Sequence, residues 1–210
     1  MRLLGFFLSF FLLQGCLTSE AQSRSAGRPV YLTVEFAAAP PPTHPDAILY
    51  SRDRLLVLDD FRGIPNNPQA VAATHSSLGM GYRATTRNGR TTLNVTITTY
   101  MDPNESWCRP NARTRRVLDH EQLHFDITAL AACSLRDAIL AASLTTTNYK
   151  SELSRIQQEY NDWWRTKEEE YDKETVHGTD PERQREWAKS IRAQIELQPC
   201  FQSQETGSSF

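Results

Sequence analysis

The sequence predicts an α+β fold, in which a β-rich N-terminal half packs against a long helix that is followed by an antiparallel helix and a C-terminal helix. Two observations indicate this order. The pair Asn88-Gly89 lies between segments rich in Thr, Val and Ile, whereas apolar or His side chains recur every three or four residues beyond Pro110. Because 210 residues suffice for one well-buried domain but not for two typical ones, we expect one domain over residues 30–200 and a short tail over 201–210.

The strands are expected in the first half. Residues 31–36, Tyr-Leu-Thr-Val-Glu-Phe, have the composition of a strand, and the prolines at 40, 41, 42 and 45 end it. Asn88 and Gly89 tolerate the positive backbone angles of a tight turn, so the segments on either side of them are expected to form a hairpin.

Three helices are expected in the second half. The first extends from Arg113 to about Ser143, and its inner face is marked by residues 117, 120, 124, 127, 131, 135 and 138. The second helix extends from about Tyr149 to Tyr171 and returns antiparallel to the first. Asp180, followed by Pro181 and an acid, is typical of a capped N-terminus and opens the third helix.

The N-terminal residues 1–16, MRLLGFFLSFFLLQGC, combine one Arg with an apolar run of about ten residues, which is typical of an export signal and short for a membrane span. The end of this run, Leu13-Gln14-Gly15-Cys16, resembles a bacterial lipobox. We therefore expect an exported protein anchored through a lipid on Cys16, in the periplasm or at the cell surface. The alternatives are plain secretion and a buried N-terminal helix. Residues 17–29 are expected to form a flexible tether.

Composition limits the partners. The formal charge of −2 gives no reason to expect a polyanion, so nucleic acid is not an expected partner. Export would permit disulfides. If Cys16 carries a lipid, then Cys108, Cys133 and Cys200 allow at most one bridge, and the sequence does not select the pair.

The segment His120-Glu121-Gln122-Leu123-His124 carries the predicted chemistry. Two His residues four apart on a helix project side by side, so their ring nitrogens can bind one zinc ion, and Glu121 is placed to act as general base. This arrangement is suited to hydrolysis by metal-activated water. The alternative is that both His residues are partly buried and bonded to their neighbours.

A third zinc ligand must come from outside the motif, and the remaining His candidates are His44, His75 and His177. His177 is the preferred candidate, because the returning helix reaches the level of the motif and Gly178 marks a helix stop. The alternatives are carboxylates: Glu174, Asp172, or another residue of the 168–172 stretch. The hydroxyl of Tyr171 is expected to stabilise an oxyanion, unless the ring is simply packed. Asp126 is expected to face away from the metal.

Several ordered segments resemble a bacterial family of predicted secreted zinc-dependent proteases that was first catalogued as a domain of unknown function. The resemblance covers about residues 50–196 and is carried by Leu58-Asp59-Asp60-Phe61-Arg62-Gly63, by Leu118 to Ile127, by Tyr171 to Gly178, and by Gln184 and Trp187. It implies a zincin-like metallopeptidase in which His120 and His124 bind zinc and Glu121 is catalytic. Leu123 and the segment from Cys133 to Arg136 depart from the family pattern.

These observations together predict a zinc-dependent peptidase of the cell envelope that acts on a peptide or protein substrate. The alternative is an envelope lipoprotein that binds metal or a partner and has little or no catalytic activity.

Overall fold

The computed structural model describes residues 27–201 and has an α+β fold, as predicted. Its strands are β1 (Tyr31–Phe36), β2 (Ile48–Leu49), β3 (Ala72–Ala73), β4 (Ser76–Arg87), β5 (Arg90–Met101) and β6 (Trp107–Cys108), and its helices are α1 (Arg115–Ala141), α2 (Tyr149–Glu174) and α3 (Pro181–Leu197). The predicted export signal with Cys16, most of the predicted tether, and residues 202–210 lie outside the described residues.

The main sheet is built around β5. One edge of β5 pairs with the whole length of β4, and its other edge pairs first with β1 in parallel and then with β2 in antiparallel orientation. The parallel pairing of β1 with β5 is not visible in the sequence. A second sheet is formed by β3 and β6 alone.

The predicted hairpin is confirmed. Asn88 and Gly89 have φ values of 50° and 74°, which are the positive angles that a two-residue turn between long strands requires. The turn fixes the register of β4 against β5, from Arg87 opposite Arg90 to Ser76 opposite Met101.

The core lies between the main sheet and α1. Every second residue of β5 points inward, so that Leu93, Val95 and Ile97 are fully buried. They pack in one cluster with Leu135 and other residues of α1 and with the first half of α2. Burial of this inner face fixes α1 across the sheet.

The helices begin and end close to their predicted bounds. Thr114 caps α1 by accepting a hydrogen bond from the amide of Val117, and the side chain of Asp180 caps α3 by accepting from Glu182 and Arg183. The second helix extends to Glu174, a few residues beyond the predicted end at Tyr171. None of the helices among residues 27–201 is both long and apolar enough to cross a membrane.

The ordered contacts extend slightly beyond the predicted domain boundaries. The amide of Arg28 donates to Thr146 Oγ1, and the amide of Val30 donates to the carbonyl of Leu144, so the end of the predicted tether packs against the loop after α1. At the other end, Phe201 packs against Phe36.

The disulfide joins Cys133 of α1 to Cys200, which follows α3. This pairing selects one of the three combinations that the sequence left open. Among the described cysteines, Cys108 is unpaired and buried.

Candidate metal centre

Three side chains converge between α1 and α2: His120, His124 and Asp172. The two Nε2 atoms of the His residues lie 3.2 Å apart, and each lies 3.2 Å from Oδ1 of Asp172. The three atoms therefore form a nearly equilateral triangle. The imidazoles are almost buried, while the Asp172 side chain is 36% exposed, so the triangle opens to solvent on the α2 side.

This triangle fits a zinc ion. A tetrahedral zinc site with Zn–N and Zn–O bonds of about 2.0–2.1 Å has ligand-to-ligand distances of about 3.3 Å. Two neutral imidazoles and one carboxylate also form a donor set of the kind that catalytic zinc sites use, with one coordination position left for water or substrate.

The other nitrogen of each ring is already engaged. Nδ1 of His120 lies 3.1 Å from Oε1 of Gln184, which belongs to α3, and Nδ1 of His124 forms a hydrogen bond with Glu168. The carboxylate of Glu168 accepts only, so His124 donates from Nδ1. If the Gln184 oxygen accepts in the same way, both Nε2 lone pairs point towards Asp172.

Polar atoms this close together need a proton or a cation between them. Burial alone would lower the pKa of His124, but hydrogen bonds to Asp172 and Glu168 outweigh burial and raise the pKa well above its usual value. Burial would also raise the pKa of Asp172, yet its hydrogen bonds with His120 and His124 hold that pKa far below the ordinary range.

Glu121 follows His120 on α1, and its side chain extends to the segment between β3 and β4. It is buried, its Oε2 accepts a hydrogen bond of 2.7 Å from Thr74 Oγ1, and its charge contributes to the raised pKa of His124. Thr74 lies between β3 and β4, so the sheet orients this carboxylate. No donor among residues 27–201 binds its Oε1.

Tyr171 does not occupy the position expected of an oxyanion donor. The side chain is fully buried, and its ring stacks on His120 at 4.8 Å between ring centroids. Its hydroxyl lies 2.8 Å from Oε1 of Gln184 and 3.2 Å from the carbonyl oxygen of His120. The ring of Tyr171 therefore packs on His120, and its hydroxyl is engaged within the protein by Gln184 and the His120 carbonyl.

His177 is also not where the preferred prediction put it. Its side chain is 77% exposed, and Nδ1 lies 3.5 Å from Oδ2 of Asp172, whereas His120 and His124 contact Oδ1. The group that completes the triangle is Asp172, one of the carboxylates expected as alternatives. The chain turns sharply after α2, so His177 is carried outward.

The turn itself positions the site. Val176, His177 and Gly178 all have positive φ values, of 50°, 50° and 73°. Such angles are rare for a β-branched residue, and the turn is held by Thr175, whose Oγ1 donates to the Tyr171 carbonyl and accepts from the Gly178 amide. It brings Gly178 against His120: a Cβ at Gly178 would lie 2.7 Å from Cγ of the imidazole.

The sequence indicated some of the supporting residues but not their roles. Gln184 and Glu168 each occupy a helix face at the level of the motif, and only the packing of three helices shows which His residue each one contacts. Asp126 faces away from the site, as expected, and binds Tyr50 and Gln122. Gln122 in turn accepts from the amide of Leu56 and ties α1 to the loop before β3.

Residues 60–178 match the family model described as "Bacterial protein of unknown function (DUF922)". No curated protein and no solved structure matches the chain. The matched segment contains His120, Glu121, His124 and Asp172 and spans more than half of the 210 residues. Its description states no activity. On this match, the chain belongs to the DUF922 family of bacterial proteins of unknown function.

Proposed function

We propose that this protein is a zinc-dependent peptidase with a zincin-like site. The observation that carries the proposal is the triangle of His120, His124 and Asp172, whose 3.2 Å sides fit one tetrahedral zinc ion. Glu121 adjoins it on the same helix, with one carboxylate oxygen oriented by Thr74 and the other open. The resemblance to predicted zinc-dependent proteases supports peptide bonds as the substrate class.

Each residue has a separate task in this proposal. Zinc, when bound, supplies Lewis acidity, which acidifies water and polarises a carbonyl group. Glu121 takes a proton from the attacking water while the water oxygen bonds to the peptide carbonyl carbon. Glu121 then gives that proton to the amine that leaves. Glu168 and Gln184 hold the two imidazoles so that Nε2 faces the metal, and Tyr171 holds His120 in place.

We further propose that the protein is exported and anchored through a lipid on Cys16. The disulfide between Cys133 and Cys200 supports export, because such bonds persist in oxidising compartments and are rare in the cytosol. The substrate would then be a peptide or protein of the envelope or its surroundings.

Metal content tests the site. We expect close to one zinc per chain in the purified wild type, and loss of most of it in Asp172→Ala and His124→Ala. The matched control is His177→Ala, in which a neighbouring side chain outside the triangle is removed. Equal zinc loss in His177→Ala and Asp172→Ala would contradict the proposed ligand set, and a folded wild type without affinity for zinc would refute the proposal.

Cleavage of a mixed peptide library tests the activity. We expect the Glu121→Gln variant to retain zinc and lose cleavage, because an amide cannot accept the proton. If the wild type binds zinc but cleaves no peptide in the library, the alternative of a metal-binding envelope protein is favoured. Cleavage by Glu121→Gln at the wild-type rate would show that Glu121 is not the base.

A further inference from the structure

A cluster of arginines covers the end of the main sheet that is farthest from the metal centre. Arg83, Arg87 and Arg90 follow one another on the outer face of the β4–β5 hairpin, since Arg83 pairs with Asn94 and Arg87 pairs with Arg90. Arg28 joins them by donating from Nη1 to the carbonyl of Gly89 at the turn. All four side chains are exposed. We call these four residues the arginine end.

The arginine end has no counter-charges among residues 27–201. None of its four guanidinium groups lies within salt-bridge distance of a carboxylate, unlike those of Arg113, Arg155 and Arg183, and here four such arginines lie together. On the outer face of β1, the acidic residue Glu35 pairs with Thr96, beyond the level of Arg83. Because the whole chain has a formal charge of −2, the positive charge here is a local feature.

A depression of about 340 Å³ lies within this surface. Arg87 and Arg90 line it together with the hydroxyl-bearing residues Tyr31, Thr85 and Thr92, and the guanidinium of Arg90 lies 4.2 Å above the Tyr31 ring. Planar guanidinium groups beside hydroxyl donors are the groups that bind phosphate oxygens. The depression is therefore suited to a phosphate-bearing headgroup.

The chain approaches the domain at this same end. Arg28 is fixed by Thr146 on one side and by Gly89 on the other, so the residues that precede it start beside the hairpin. Cys16 lies twelve residues before Arg28 in the sequence, a distance of at most about 40 Å even if extended. A lipid on Cys16 would hold the arginine end within reach of the membrane that carries the lipid.

We propose that the arginine end is a docking surface for the anionic phospholipids of a membrane, and that it orients the domain with the metal centre directed away from the bilayer. His120 and His124 lie near the start of α1, whereas Arg28, where the chain enters the domain, lies beside the loop that follows α1. About 30 Å of helix therefore separates the metal centre from the arginine end. A metal centre at this height acts on substrates in solution beyond the headgroups. The proposal does not depend on the identity or presence of the metal.

Vesicle binding tests the proposal. All described strands, helices and core clusters lie within residues 27–201, so a chain of residues 17–210, which cannot carry the lipid, reports on the surface itself. We expect it to sediment with vesicles of phosphatidylglycerol and phosphatidylethanolamine, to ignore pure phosphatidylcholine, and to dissociate as the salt concentration rises. Each arginine near an anionic surface contributes about a fivefold gain in partitioning, so the triple variant R83Q/R87Q/R90Q should lose about a hundredfold.

The matched control is R62Q/R116Q/R185Q, which removes three exposed arginines without acidic partners from other parts of the surface. It changes the net charge by the same amount and should bind like the wild type. The double variant R83Q/R87Q leaves Arg90 on Tyr31 and serves if the triple variant does not fold. Equal loss in the control, equal binding to phosphatidylcholine, or binding to soluble polyanions without binding to vesicles would overturn the proposal.

Discussion

Replacing Gly178 by Ala tests whether the turn after α2 positions a metal ligand. Gly178 has a φ of 73°, and its Cα faces the imidazole of His120 so closely that an added Cβ would lie 2.7 Å from Cγ and 2.8 Å from Nδ1. The substitution therefore has two separate effects. One is the backbone strain of an L residue at positive φ, and the other is displacement of His120, a proposed metal ligand.

The two effects differ in size and in what they change. A positive φ costs an L residue about 1–2 kcal/mol, which lowers the free energy of unfolding. An ordinary contact between non-bonded carbon atoms is about 3.5–4.0 Å, so the His120 ring must move by about 1 Å. We expect a movement of this size to disrupt the hydrogen bond between Nδ1 of His120 and Gln184, now 3.1 Å. Loss of a partner that orients a ligand lowers metal affinity about 10–100-fold, and displacement of the ring itself adds to this.

Gly89→Ala is the matched control for this variant. Gly89 has a φ of 74°, nearly the same as Gly178, but an added Cβ there would approach only the flexible end of Arg28. Thermal unfolding and zinc competition with a chromophoric chelator should be measured on both variants. We expect a similar loss of stability in the metal-free forms and a large loss of zinc affinity in Gly178→Ala alone. If Gly178→Ala binds zinc as tightly as Gly89→Ala, the turn does not position His120 and the reasoning is wrong.

Three further predictions concern Gln184, the disulfide and His124. Gln184→Met should lower zinc affinity about 10–100-fold, as measured by chelator competition. Gln184→Glu should restore the affinity, because its carboxylate again accepts from Nδ1 of His120. Equal zinc affinities in both variants would contradict this role of Gln184. The double substitution of Cys133 and Cys200 by Ala should lower the free energy of unfolding by about 4 kcal/mol, because the bridge closes a separation of 67 residues. Denaturant titrations measure this loss, and a loss below about 1 kcal/mol would contradict the prediction. Burial alone would lower the pKa of His124, but hydrogen bonds to Asp172 and Glu168 raise it in the metal-free protein. The protonated imidazole therefore stabilises the fold fully below the unfolded pKa of about 6.5, and this stabilisation is lost as pH rises through the folded pKa. Thermal midpoints measured in a chelator should therefore fall as pH rises above about 6.5, and a rising midpoint would refute this assignment.

The features that the sequence predicted well are those governed by local chemistry. The turn at Asn88-Gly89 needs only residues that accept positive φ, and the N-cap at Asp180 needs only a side-chain acceptor before a helical proline. Both lie where they were expected. The pairing of His120 with His124 follows from the helical repeat, which is also local.

The features that were missed depend on packing between distant segments. The parallel pairing of β1 with β5 joins segments about 60 residues apart, and no residue in either segment specifies it. The bridge from Cys133 to Cys200 depends on where the end of α3 returns to α1. The contact of Gln184 with His120 likewise depends on how α3 is placed across α1 and α2, which the sequence pattern of α3 does not contain.

The position of Asp172 beside the two His residues follows from helix geometry. Antiparallel helices have the same rise per residue, so each step back along one helix is matched by an equal step forward along the other. The structure follows this rule: moving from His124 back to His120 on α1 corresponds to moving from Glu168 forward to Asp172 on α2.

Glu168 and Asp172 thus face the two His residues because all four lie on the contacting faces of two helices in fixed register. His177 lies beyond the last helical residue, Glu174, where that register ends and three residues of positive φ redirect the chain. The lengths of the two helices place His177 at about the level of His120 and His124, but length alone does not identify the side chains that face α1. Helix register does identify them: Asp172 faces His120, and Glu168, one turn earlier, faces His124.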